Sequence, residues 1–339
     1  MASKTTLKDI AKAVGLSVAS VSLVLNGKPC RISEENKRLI RQTAQEMKYV
    51  PNQTARNLVL RKSHTIGLVI PDIENFYFSS LAKAIEKEVR SAGYALLLAS
   101  SENVSDGDIN LCNMLIQHGV DGFILVVNDV ESITDEYLQA IRSLPVPYVM
   151  MDRIIDDISC DKVVGDNFTG GYLAAKHLAD LGHKKIAGIF NTKLCMNGSY
   201  RLEGYKKALE EASIGFDESL VFESDYTIED GYKLASRVVD SGCSAVVSTA
   251  DLITLGLLKY FHENKIVVPR DMSVVSYDNC TAYLLFEPSI TTIDQHISSV
   301  AHSTLDLLLK RIAGQDLPYQ TIEIKPELVV NESTKLYTE

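Results

Sequence analysis

The chain has 339 residues, 46% of them apolar, and a net charge of −10; that length allows two or three domains with sizeable cores. Six widely spaced cysteines (Cys30, Cys112, Cys160, Cys195, Cys243 and Cys280), without a CxxC pair or histidines at metal-ligand spacing, argue against a disulfide scaffold or a zinc module. No run approaches the roughly 18 to 20 apolar residues of a membrane span, and the opening MASKTTLKDIAKAVG lacks a signal peptide's apolar core, so a cytoplasmic protein with no membrane role is expected.

The acidic total hides an asymmetry. Residues 1–63 hold twelve Lys and Arg against four Asp and Glu, a surplus of +8 that leaves −18 for the remainder. A basic head on an acidic body fits a nucleic-acid contact; a solvated basic tail fits the charge alone as well.

Within the head, Leu7, Ile10, Ala11 and Val14 fall at helical spacing after Thr6, with Asp9 three residues on, which predicts a capped helix ended by Gly15. Ser17 is a good N-cap for a second helix with Val21, Val24 and Leu25 on one face, closed by Asn26-Gly27. A third helix is expected from Ser33, with Leu39, Ile40, Ala44 and Met47 inward and Pro51 as its stop. Three short helices also fit a generic bundle, but the three-residue turn and the basic surplus favour a helix-turn-helix.

In that motif the second helix enters the major groove, which makes Val18, Ala19, Ser22 and Leu23 the candidates at base edges. Val18, Ala19 and Leu23 offer only apolar contacts, such as with thymine methyls, so much of the affinity must come from phosphates. Thr6, Ser17, Ser20, Ser22, Asn26, Tyr49, Asn52 and Arg56 are suitable hydrogen-bonding side chains for that role.

From Thr65 onward the apolar runs TIGLVI, YALLLA, GFILVV, PYVMM, KIAGIF, AVVST and MSVVSY alternate with helical patterns, the rhythm of parallel sheets covered on both faces. About ten strand candidates are too many for one compact sheet, so two doubly wound α/β lobes are expected. Ligand sites in such folds lie at the carboxyl ends of strands. Those ends carry Asp72, Asn75, Tyr77 and Phe78 after the first run, Asp152 after the fourth, then Asp251 and Asp278. Strand-end aspartates also cap helices, and that reading stays open for each of these acids apart from Asp278.

The stretches TLKDIAKAVGLSVASVSLVLNG and YVPNQTARNL, followed by SHTIGLVIPDIENFY, VDGFILV, LADLGHKKIAGI, RLEGYKKAL, SVVSYDN and TTIDQ, resemble the lactose-repressor (LacI/GalR) family over nearly the whole chain. The resemblance implies a helix-turn-helix domain at 1–51, a hinge helix and linker at 52–63, and a periplasmic-binding-protein-like sensor at 64–339. Its N-lobe is expected at about 64–162 and 293–322, and its C-lobe at about 163–292 and 323–339. Leu58 then corresponds to the apolar wedge that opens a base step in the minor groove. Leu23 departs from the polar or basic residue that many members carry there, so no operator sequence follows.

The same resemblance assigns Arg201 in RLEGY and Asp278 in SYDN to the effector, and matches Tyr226 to an aromatic platform in some members. The expected function is DNA-binding repression by a homodimer on a pseudo-palindromic operator, controlled by a small molecule, a sugar being favoured over a nucleobase or a phosphorylated protein. The tail NESTKLYTE lacks a leucine heptad for a larger assembly. No GxGxxG after a strand, GxxxxGK[ST], HExxH or GxSxG is present, so neither catalysis nor a cofactor is expected. A plain solute-binding protein is the rival reading; it has no use for a basic helix-turn-helix.

Overall fold

The computed structural model describes residues 5–49, 62–102, 107–128, 133–193, 196–280 and 287–338. It divides into two compact units, Met1–Ser63 and His64–Glu339, taken here in turn.

The head has helices α1 (Leu7–Val14), α2 (Val18–Leu25) and α3 (Glu34–Glu46). Thr6 and Asp9 form a reciprocal capping box, and Gly15 at φ 68° ends α1 in the left-handed conformation that glycine adopts without strain. Ser17 and Ser33 accept first-turn amides of α2 and α3. Ile10, Ala11, Val21, Val24, Ile40 and Ala44 form the core, against which Leu25, Met47 and Tyr49 are partly buried. Two expectations for α3 change. Leu39 is exposed, because Ile40 and Ala44 define the inward stripe and Leu39 lies about 100° away from Ile40. The helix ends at Glu46, capped by Met47 whose amide reaches the Thr43 carbonyl, so its stop precedes Pro51.

The body contains two six-stranded sheets. The first has the order β11-β5-β4-β3-β1-β2, all parallel, from β1 (Thr65–Ile70), β2 (Ala95–Ser100), β3 (Gly122–Leu125), β4 (Tyr148–Met151), β5 (Asp161–Gly165) and β11 (Thr321–Ile324). The second has the order β12-β10-β9-β8-β6-β7, from β6 (Ile186–Phe190), β7 (Val221–Glu223), β8 (Ala245–Ser248), β9 (Ser273–Asp278), β10 (Thr291–Asp294) and β12 (Glu327–Val329). Here, among the described residues, β12 alone runs antiparallel, against β10.

Helices α4 (Phe76–Ser91), α5 (Gly107–Gln117), α6 (Asp135–Arg142) and α11 (Ile297–Ile312) cover the first sheet. The second is covered by α7 (Asn167–Asp180), α8 (Met196–Glu211), α9 (Ile228–Asp240) and α10 (Asp251–Glu263). Side-chain alternation explains the layering. Ile66, Leu68 and Ile70 of β1 point into the core with α4 and α11, and Val69 into the core with α5 and α6. In β8, Val246 and Ala245/Val247 divide in the same way. Burial on both faces is why these strands are continuous apolar runs.

The chain passes between the sheets three times, at β5–α7, β10–α11 and β11–β12. The lobe limits fall two residues or so later than expected: β5 pairs through Gly165, β10 through Asp294 and β11 through Ile324. Backbone pairing continues past the apolar stretch into Gly, Asp and charged residues, where hydropathy carries no strand signal.

Candidate functional sites

On α2 of the head, Val18 and Leu23 are 40% and 36% exposed, and Ala19 is exposed beside them, so a short apolar face looks outward. The flanking hydroxyls and amide are held in place. Ser17 Oγ lies 2.9 Å from Ser20 Oγ, and Asn26 Nδ2 donates to the Ser22 carbonyl at 2.8 Å. Thr6 is committed to its cap, donating to Asp9 Oδ2 at 2.7 Å, and Tyr49 is half-buried against the head core. Asn52, Arg56 and Leu58 lie outside the described residues.

In the body, seven of the nine expected effector residues line one cleft between the lobes: Asn75, Tyr77, Phe78, Asp152, Arg201, Tyr226 and Asp278. Asn75 caps α4 by accepting the Tyr77 amide at 2.9 Å, which sets Tyr77 and Phe78 in the first turn. Tyr77 Oη donates to Asp152 Oδ1 at 3.2 Å; Asp152 follows β4 in the left-handed region at φ 63°. Asp278, the last residue of β9, has φ 83° and accepts Gln295 Nε2 at 2.6 Å. Tyr226 precedes the cap of α9, also at positive φ.

Arg201 is built in from three sides. Its Nε donates to Asn167 Oδ1 and its Nη1 to the Thr249 carbonyl, each at 2.8 Å, and its guanidinium lies 3.9 Å from the Tyr277 ring centroid. Close packing of α7 on α8 makes this possible: a Cβ on Gly171 would stand 1.9 Å from the Arg201 carbonyl oxygen.

Two expected residues do not line the cleft. Asp72 Oδ1 accepts the Glu74 amide at 2.8 Å in a local turn. Asp251 Oδ1 accepts Ser276 Oγ at 3.0 Å and its Oδ2 accepts the Cys280 amide at 2.8 Å, so it braces the loop that follows Asp278. Sequence reasoning missed Arg153, Asn197, Ala250 and Gln295. Arg153 lies 5.1 Å from the Phe78 ring centroid and donates to the Asn128 carbonyl. Asn197 of the C-lobe donates to Asp152 Oδ1 of the N-lobe at 3.4 Å, a direct bond across the cleft. Gln295 stood in the quoted TTIDQ segment; the others carried no signal.

Burial pushes the Asp278 carboxyl up to about 7, opposed by Arg201 and the Gln295 bond and helped by Asp251 and Asp152. Burial likewise raises Asp152, against the two neighbouring guanidinium groups, and raises Tyr77 well above its ordinary value. Burial alone would lower Arg201, but the facing Tyr277, Tyr226, Asp278 and Asp152 outweigh it, and its pKa rises. The cleft therefore presents aromatic rings, a fixed cation and carboxylates of tunable charge.

A helix-turn-helix head in one chain with a two-lobed α/β body and a polar, aromatic interlobe cleft is the build of a DNA-binding regulator under effector control. Residues 6–52 match the family described as bacterial regulatory proteins, lacI family, and residues 175–334 match a periplasmic binding protein-like domain. The HTH-type transcriptional repressor PurR of Mannheimia succiniciproducens is 34% identical over 97% of this chain and 98% of its own. PurR of Pasteurella multocida is 33% identical over 97% and 98%. Among solved structures, the transcriptional regulator CelR–cellobiose complex aligns with a TM-score of 0.72 at 26% identity, covering 97% of this chain and 100% of that one. The lac repressor dimer bound to operator and the anti-inducer ONPF has a TM-score of 0.86 over 98% and 100%; at 23% identity it speaks for the fold. The chain belongs to the lacI family of bacterial regulatory proteins, as a DNA-binding transcriptional repressor under effector control. Among the described residues no helix is long and apolar enough to cross a membrane.

Proposed function

We propose that the effector is a nucleobase, most simply a purine, rather than the sugar that composition of the family favoured. The observation that carries this is the set of three aromatic side chains, Tyr77, Phe78 and Tyr226, around the Arg201–Asp278 pair. A planar heterocycle gains from rings on its faces and from a cation and carboxylate at its edge, which match ring acceptors and N–H donors. The relatives named PurR point the same way.

A monosaccharide is the second reading, favoured by a lacI-family regulator of Enterococcus faecium with bound ribose, 27% identical over 81% of this chain and 100% of that one, with a TM-score of 0.73. Calorimetric titration of the full chain with purine bases, pyrimidine bases, pentoses and hexoses separates them. A purine that binds and changes operator affinity supports the proposal; a pentose that does so while all bases fail overturns it.

The protein acts, in this reading, as a cytoplasmic homodimer on a pseudo-palindromic operator, because one small head offers too little contact for specific binding. It carries out no catalysis, and its output is the population of the DNA-binding state.

A further inference from the structure

Two of the three passages between the lobes carry side chains that the effector cleft does not use. Asp294 ends β10, His296 follows two residues later at the start of α11, and Glu327 opens β12 just after the last crossing. One ligand atom from each lies within 4.8 Å of the other two. His296 Nδ1 is 3.8 Å from Asp294 Oδ1, and its Nε2 is 3.9 Å from Glu327 Oε2.

We propose that Asp294, His296 and Glu327 form a binding site for a divalent transition-metal ion that clamps these two crossovers. Bonds of about 2.0–2.2 Å to nitrogen and oxygen put neighbouring ligand atoms roughly 3.0–3.4 Å apart. With a single imidazole nitrogen as ligand and the three atoms within 4.8 Å of one another, the side chains close by up to about 1.5 Å, within reach of rotamer changes at His296 and the exposed Glu327. One imidazole with two carboxylates and no thiolate suits zinc, cobalt or manganese, while the imidazole disfavours magnesium and calcium. Solvent can fill the open positions, since His296 and Asp294 are partly exposed and Glu327 more so. The N-terminus of α11 opposes a cation with about half a charge; two carboxylates outweigh it. The second shell is already set. Asp294 accepts the His296 amide at 2.7 Å and Asn279 Nδ2 at 2.8 Å, which fixes its orientation.

The site is wired to the effector cleft through adjacent residues. Gln295, between two of the ligands, donates to Asp278, and Asn279 next to Asp278 donates to Asp294. A bound ion holds these groups in one arrangement, so metal and effector change each other's affinity by the same factor. The metal site itself does not depend on which effector binds.

The test uses the full-length protein, stripped with a chelator and titrated with Zn²⁺, Mn²⁺ and Mg²⁺ by calorimetry and by competition with a chromophoric chelator. One saturable site per chain is expected, at least tenfold tighter for Zn²⁺ than for Mg²⁺ and weakened at least tenfold in His296→Ala and in Glu327→Gln. His302→Ala, an exposed histidine elsewhere on α11, leaves it unchanged. Because Glu327 is exposed, Glu327→Gln keeps the apo Tm, which separates a lost ligand from a lost fold. No saturable binding by the wild type, or equal affinity in His296→Ala and Glu327→Gln, overturns the proposal.

Discussion

Replacing Arg201 by lysine tests the effector site while keeping its charge. The arginine fork makes two bonds in different directions, to Asn167 Oδ1 and to the Thr249 carbonyl, and lies over Tyr277. A single ammonium cannot reproduce that geometry, and losing one bond to a charged group costs about 1.5–3 kcal/mol. Arg201→Ala would be a poorer probe: Asp152 and Asp278 would lose their buried counter-charge, at about 3–5 kcal/mol, and the C-lobe itself would suffer. With lysine the charge stays, so the loss falls on the cation's placement at the ligand edge. About 1.4–2.8 kcal/mol of lost contact is a 10- to 100-fold rise in effector Kd. Calorimetry with the effector reads this directly, and fluorescence anisotropy with operator DNA, in effector-free protein, should stay within about threefold of the wild type. An unchanged effector Kd would falsify the assignment of Arg201 to the site.

Gly171→Ala pushes a methyl against the Arg201 backbone and should cost about 1–3 kcal/mol or more, lowering Tm by several degrees; an unchanged Tm would show that α7 and α8 can separate freely. Burial lowers the pKa of His177 and of His183, the latter also repelled by Lys335 and His177, so in both the unfolded chain binds more protons below its ordinary value of about 6.5. The stability they contribute is present above that pH and is lost as pH falls through it; melting curves from pH 7.5 to 5.5 should slope downward, and a flat profile refutes the reasoning. Asp278, pushed up to about 7, accepts N–H groups most strongly when ionised and offers an O–H donor with a weaker acceptor when protonated, so effector affinity should fall as pH drops below that value, and Asp278→Asn should remove the slope. Leu58→Ala should weaken operator binding by about tenfold with effector affinity intact, and equal operator affinity would remove the wedge.

The parts of the fold legible in sequence are those where burial on two faces forces a continuous apolar run. All seven apolar runs became strands, β1, β2, β3, β4, β6, β8 and β9, of which β2 is an edge strand with Leu97 and Leu98 exposed. β5, β7, β10, β11 and β12 were not among those runs, because DKVVG, VFE, TTID, TIEI and ELV mix charged or polar residues into short segments; β7, β11 and β12 also lie at sheet edges, where one side of the ladder needs no apolar partner. The head was legible through its caps, since Thr6–Asp9, Ser17 and Ser33 act within three residues. The cleft was legible only in part. Asp72 and Asp251 stand at strand ends like the lining Asp152 and Asp278, and all four carboxylates accept hydrogen bonds; what separates them is the direction in which each side chain points, which position at a strand end does not encode. Arg153 and Asn197 reach the cleft by the direction of long side chains from different elements, which spacing along the chain does not encode.

The cleft also offers a route by which a small ligand in the body can govern the DNA-binding head. Tyr77, Phe78 and Asp152 come from one lobe, Arg201, Tyr226 and Asp278 from the other, and the Asn197–Asp152 bond already spans them. A ligand that touches both sets binds the closed arrangement better than any open one, and that difference in affinity is all that it can use to shift the equilibrium. Turning a 1:99 population into 99:1 takes about 5.5 kcal/mol, which a few charge-assisted bonds and two aromatic faces can supply. The response then runs through the three crossovers, because they alone join the lobes covalently. Gln295 on the second and Asn167 at the first hold Asp278 and Arg201 directly, so in the proposed reading the groups that meet the ligand are tied to the segments that move when the lobes turn.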